Sequence, residues 1–221
     1  MTSQELDAFV QALSEPPHGK YQGLRQSGRY AALVFMAGWL GPRWNEAIGL
    51  RLRDVNFLRK EITLGRYVVN ENGGKTFVEK SSKTGDYRTV PVPAFVLTAL
   101  SQHISEWRRG CQPDEFLFVN AKEHHPTRSG FSHYVWHPAL RKADLAGRSL
   151  TFVSLRHTAA SLMFDAGLSV FEVQQYLGHH SAHMTMDVYT HLHRRRFTEG
   201  RRTLEDYRLR ELSGAAQRSP A

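Results

Sequence analysis

Cysteine is almost missing: Cys111 is the only one in the sequence. No disulfide can close within the chain, which excludes the small stapled folds of secreted modules and points to a reducing compartment. Long apolar runs are missing too. The densest, AALVFMAGWLG, falls well short of the roughly 20 residues that span a bilayer, so no membrane span is expected. The opening MTSQELDAFVQALSEPP has acidic residues and no apolar core of signal length, so a secretory signal is not expected. There is no internal repeat. Acidic charge is also in short supply, with 21 Asp and Glu against 29 Lys and Arg, a net charge of +8. A surplus of that size suggests a polyanionic partner, which is an argument about association and not about fold. At 221 residues the chain fits one large or two small domains and can bury a sizeable core.

Periodicity supplies the coarse architecture. Residues 2–14 read as an amphipathic helix, with Thr2 and Glu5 as a capping box and Leu6, Phe9, Val10 and Leu13 on the apolar face. Pro16 and Pro17 end it. A strongly apolar helix over residues 24–40 should sit at the centre of the core, and Gly41-Pro42 breaks it and opens a new helix near Arg43. The pattern then changes period. Residues 61–69, 76–80 and 87–92 read as three strands of a small antiparallel sheet, separated by turns. Helices follow over 93–109 and 129–143, with a short strand at 115–119 between them. His133 and His137 lie four apart, as do His179 and His183. Such pairs can ligate zinc, but no third ligand fits, so no metal is expected. Phe131, Tyr134 and Trp136 are expected to pack or to line a nucleic-acid-facing surface.

The chemistry gathers in residues 151–191, TFVSLRHTAASLMFDAGLSVFEVQQYLGHHSAHMTMDVYTH. Arg156 and His157 stand in a helical pattern, Gly167 breaks it, and a second helical run ends at Gly178-His179-His180. A single tyrosine, Tyr189, follows with Thr190 and His191. Basic groups around one phenol suit phosphate chemistry. Arginine offers a planar fork to phosphate oxygens, histidine donates near neutral pH, and tyrosine needs such neighbours to attack anything. Taken singly, Arg156 reads as an ion-pair partner, His179 as a helix cap and Tyr189 as a half-buried aromatic. Upstream, Gly41-Pro42-Arg43-Trp44-Asn45-Glu46 leads to Leu50 and then Arg53-Asp54-Val55. Arg43 and Glu46 are one helical turn apart, so the carboxylate can hold the guanidinium, although alone the pair reads as an ordinary surface ion pair.

As an ordered set these residues resemble the tyrosine recombinases, the phage integrase family. Leu155-Arg156-His157-Thr158, Leu177-Gly178-His179 and Tyr189-Thr190-His191 match its C-terminal boxes, and Gly41 to Leu50 matches its first arginine box. Lys83-Thr84-Gly85 with Arg88-Thr89-Val90-Pro91 resembles the β-turn that carries the family's catalytic lysine, with Lys80 as a nearby rival. The resemblance covers about residues 3–197 and implies a mainly α-helical catalytic fold with a small antiparallel three-stranded sheet. The catalytic domain would be residues 1–197. Residues 198–221 would form a tail that begins helical, ends disordered and docks on a neighbouring protomer.

The resemblance also implies roles. Arg43 and Arg156 would clamp the non-bridging oxygens of a DNA phosphodiester, and His179 would hydrogen-bond them. Lys83 would protonate the leaving 5′ oxygen, and Tyr189 would form a 3′-phosphotyrosyl bond, with Glu46 and His157 in support. It implies no cofactor, duplex DNA as partner, a homotetramer on paired sites, a monomer when free, and the cytoplasm of a bacterial host. Family members place a helical DNA-binding domain ahead of the catalytic one, so the stretch from residue 3 onward is expected to bind DNA weakly and in a salt-sensitive way by itself. Two positions depart from the family pattern. Val153 stands where a histidine or lysine is usual, and His179 and Tyr189 are ten apart where nine is common, which leaves His179 and His180 as rivals for the phosphate. A non-catalytic DNA-binding module and a topoisomerase-like relaxing enzyme are the alternatives.

Overall fold

Thr2 and Glu5 start the first helix as the sequence leads one to expect. In the computed structural model, which describes residues 1–15, 27–71, 76–81 and 87–178, Glu5 N–H donates to Thr2 Oγ1 at 3.1 Å and Thr2 N–H donates to the Glu5 carboxylate at 2.8 Å. Helix α1 (Ser3–Ser14) lays Leu6, Phe9 and Leu13 on helix α2 (Ala31–Leu40). The contact is close because Gly38 has no side chain: a Cβ there would stand 2.5 Å from Leu6 Cδ2. A helix apolar on all sides belongs in the interior, and Leu33, Val34, Met36 and Ala37 of α2 are fully buried. The expected 24–40 helix is thus α2 preceded by a single 3-10 turn, Ser27–Tyr30, with residues 24–26 outside the described part.

Gly41 closes α2 in the left-handed region at φ +67°, where only glycine sits without strain. Helix α3 (Trp44–Ile48) follows. The strands are β1 (Val55–Asn56), β2 (Glu61–Leu64), β3 (Arg66–Glu71), β4 (Thr76–Ser81) and β5 (Arg88–Pro91). A three-stranded antiparallel sheet is present, in the order β1-β2-β5, but its membership differs from the sequence reading. The 61–69 run is cut in two by Gly65, at φ +142°. Its first half pairs Ile62 with Val90 in β5 and with Val55 in β1. Its second half leaves as a separate two-stranded β3-β4 ribbon, Val68 opposite Glu79.

Helix α4 (Ala94–Trp107) also packs on α2. The segment at 115–119 is not a strand. Phe116 forms one isolated bridge to Arg51, and Leu117 N–H donates to Leu50 O at 2.9 Å. The helix expected over 129–143 is present with a defect. Helix α5 (Arg128–Phe131) passes through a π turn, Ser132–Trp136, into α6 (His137–Lys142). Pro138 has no N–H to donate, and His137 N–H reaches back to Ser132 O, one residue further than in an α-helix. Trp136 turns inward to an edge-on contact with Phe9 at 4.7 Å and donates Nε1–H to Leu150 O at 2.8 Å. Phe131 is buried with it, whereas Tyr134 is exposed.

The last described elements carry the site. Helix α7 (Phe152–Asp165) packs along α2, and α8 (Val170–Leu177) returns along α7. Ser169 and Glu172 cap α8 reciprocally. Gly178 ends α8 in the left-handed region at φ +63°.

Candidate active site

Three arginines from three elements meet at the C-terminal end of α8. Arg156, in the first half of α7, donates from Nη1 to Gly41 O at 2.7 Å and from Nη2 to Leu177 O at 2.6 Å. Arg43, the residue before α3, reaches Gly178 O from Nη2 at 3.5 Å. Arg88, the first residue of β5, donates Nε–H to Tyr176 O at 2.9 Å. Three consecutive carbonyls, Tyr176, Leu177 and Gly178, are therefore each held by a different guanidinium. A helix C-terminus leaves its last carbonyls without intrahelical partners and carries partial negative charge, so this is a natural seat for cations. The three carbonyls take only one N–H from each guanidinium, of the five that each arginine carries.

Glu46 supplies the counter-charge. It is 8% exposed, and a carboxylate at that depth needs charged partners. Arg88 grips it in a fork, Nη1 to Oε1 at 2.8 Å and Nη2 to Oε2 at 3.0 Å. Glu46 also accepts the Arg43 backbone N–H at 2.8 Å, which caps α3 and fixes where Arg43 leaves the chain. Its contact with the Arg43 guanidinium is looser, 3.5 Å, and that side chain remains 46% exposed. Burial alone would push the Glu46 carboxyl up; the Arg88 fork, helped by Arg43, outweighs burial and holds it below the ordinary carboxylate value. Among the described residues Arg156 bonds carbonyls and no carboxylate. Burial first, then the neighbouring charge of Arg43, brings its pKa down to about 10, which still leaves it cationic at neutral pH.

Of the residues singled out in the sequence, the structure brings Arg43, Glu46 and Arg156 together. His157 is exposed on α7, about 100° around the helix from Arg156, so it does not face the cluster. Val153, one turn before Arg156, is 46% exposed. Lys83, His179 and Tyr189 lie outside the described residues, as do His180, His183 and the 198–221 tail. Lys80 lies within β4, opposite Tyr67. Sequence reasoning gave Arg88 no role beyond being part of the motif around Lys83. Its one signal was the position three residues after Gly85, at the entry to a strand. Among the described residues no three His, Cys, Asp or Glu side chains gather as a metal site, and no helix is long and apolar enough to cross a membrane.

The model of the phage integrase family matches residues 1–196. A tyrosine recombinase XerC-like protein of Caldanaerobacter subterraneus is 24% identical over 92% of this chain and 56% of its own length. A putative prophage phiRv2 integrase of Mycobacterium tuberculosis is 29% identical over 82% of this chain and 44% of its own. The chain thus spans about half the length of these curated relatives. Among solved structures, the Tn1549 transposon integrase in complex with a circular intermediate DNA has a TM-score of 0.69 at 19% identity, covering 85% of this chain and 60% of that one. A XerA recombinase has a TM-score of 0.68 at 22% identity, covering 91% of this chain and 63% of that one. At these identities the structural likeness establishes the fold.

Proposed function

Because this chain belongs to the phage integrase family, we propose that it cuts and rejoins duplex DNA at specific sites, integrating or excising mobile or phage DNA by transesterification at phosphorus. Tyr189 Oη gives up its proton to solvent and attacks the scissile phosphorus, the Tyr–O–P bond forms, and the bond from phosphorus to the 5′ oxygen breaks. Lys83 gives that oxygen its proton. Arg43 and Arg156 take the charge that grows on the non-bridging oxygens, with His179 as a further donor. The phosphotyrosyl bond replaces one phosphodiester by another, so a second 5′-hydroxyl can reverse the step without ATP.

The observation that carries this reading is the convergence of Arg43 and Arg156 on the carbonyls of Gly178 and Leu177, neighbours in the chain. His179 is the next residue in the chain after Gly178. Duplex DNA as partner is supported by the Tn1549 transposon integrase of the same fold, solved on DNA. On this reading residues 1–197 are the catalytic domain and the 198–221 tail docks on a neighbouring protomer. The free chain is a monomer in the host cytoplasm and assembles as a homotetramer on paired sites.

Val153 favours a second reading, a slow or purely DNA-binding member. It shares a helix face with Arg156, is 46% exposed, and can neither donate nor accept a proton. Covalent trapping separates the two. The protein is mixed with nicked suicide duplexes from a library of candidate sites and analysed on a denaturing gel. An adduct that maps to Tyr189 and disappears in Tyr189→Phe is the expected result. Retained DNA binding with no adduct moves the assignment to the second reading.

A further inference from the structure

We propose that Arg88 is a positioning residue of this site, the fixed charge that satisfies Glu46 and so keeps Arg43 free for phosphate; the proposal rests on the function argued above. A buried carboxylate must be matched by a cation, and two compete for Glu46. Arg88 takes both of its oxygens, at 2.8 and 3.0 Å, from a side chain that is only 15% exposed. Arg43 comes second at 3.5 Å and keeps its guanidinium in the open. The same Arg88 side chain donates to Tyr176 O at 2.9 Å and packs under Gly178, where a Cβ would stand 2.8 Å from Arg88 Nη1. One planar group therefore ties the start of α3, from which Arg43 projects, to the end of α8, where the chain goes on to His179. Arg88 acts on the phosphate through Arg43.

Without Arg88, the guanidinium that directly contacts buried Glu46 among the described residues is that of Arg43, at 3.5 Å. Arg43 then turns inward and the phosphate loses one clamp. Neutralising Glu46 in the same background removes the attraction and releases Arg43. A residue that merely stabilised the fold would show no such rescue, since the second substitution would remove a further interaction.

The test uses the full chain with Arg88→Met, Arg88→Lys, and Arg88→Met combined with Glu46→Gln. Three quantities are read: the rate of covalent adduct formation at saturating nicked duplex, DNA affinity by fluorescence anisotropy, and the Arg43 Nε resonance in DNA-free protein, assigned by its loss in Arg43→Lys. Arg88→Met should slow capture by ~10- to ~100-fold, below the ~100- to ~1000-fold of losing such a donor outright because Arg43 is drawn aside and not removed, with affinity within about threefold. Its Arg43 resonance should shift. The double variant should recover about tenfold of the rate and return the resonance. Arg88→Lys, which keeps charge without the fork, should fall between wild type and Arg88→Met and carries the comparison if Arg88→Met does not fold. Wild-type rates in the Arg88 variants, or a double variant no faster than Arg88→Met with an unmoved resonance, overturn the proposal. If the wild type itself forms no adduct, the functional reading fails, and the Arg43 resonance alone still decides the role of Arg88.

Discussion

Replacing Gly41 by alanine tests whether the end of α2 and the Arg156 anchor are built on close approach. The residue sits at φ +67°, a conformation that costs an L-residue about 1–2 kcal/mol. Its new Cβ would lie 2.4 Å from Leu177 Cδ2 and 3.2 Å from Ala159 Cβ. Leu177 is 1% exposed, so relief requires a packed interior to shift, at about 1–3 kcal/mol. Together these give about 2–5 kcal/mol, or a Tm lowered by roughly 4–20 °C at the ~2–4 °C per kcal/mol typical of this chain length. Thermal unfolding followed by circular dichroism reads the shift. Gly167→Ala is the control, because Gly167 has φ +97° but no heavy atom within 4 Å of a built Cβ. It carries the backbone cost without the collision. Should Gly41→Ala lower Tm no more than Gly167→Ala, the close-packing argument is wrong.

Two further outcomes follow from the site. The Glu46 pKa is depressed in the folded protein, so its stabilising contribution is complete above its unfolded value near ~4.3 and is lost as pH falls through the folded value. Urea midpoints should therefore drop as pH goes from about 5 to 3, and Glu46→Gln, less stable at neutral pH, should flatten that limb; an unchanged slope would mean that other carboxylates dominate it. Val153→His should speed covalent capture by supplying a proton-carrying group one turn from Arg156; a normally folded variant that is no faster shows the missing histidine is not limiting.

Local chemistry was legible where it decides structure alone. Thr2 with Glu5, the apolar α2 and the Gly41-Pro42 break each carry their reason within a few residues. The division of 61–69 was only half legible: Gly65 signals a break inside a strand pattern, but which partner each half takes is settled by pairing elsewhere in the chain. Val55 and Asn56 are too short to read as a strand and become one only by lying against Ile62 and Glu61. The π turn before Pro138 reflects where Trp136 has to point, which is a tertiary demand. In the site, the Arg43–Glu46 spacing was visible in sequence, but the sequence suggested that Glu46 serves Arg43. The structure gives the carboxylate to Arg88, 42 residues away along the chain, a choice no local rule contains.

The grip on the end of α8 has a consequence for mutational tolerance. Its acceptors are the main-chain oxygens of Tyr176, Leu177 and Gly178, and every amino acid brings the same oxygen. Exposed side chains along α8 can therefore drift without dissolving the grip, so long as the helix keeps its pitch and Val173 and Leu177 stay packed. The fragile spots lie in the three guanidinium donors and in the two glycines whose bare Cα atoms make room for the Leu177 and Arg88 side chains. A saturation scan of this region should look permissive at exposed Phe171 and Gln175 and nearly closed at Gly41 and Gly178.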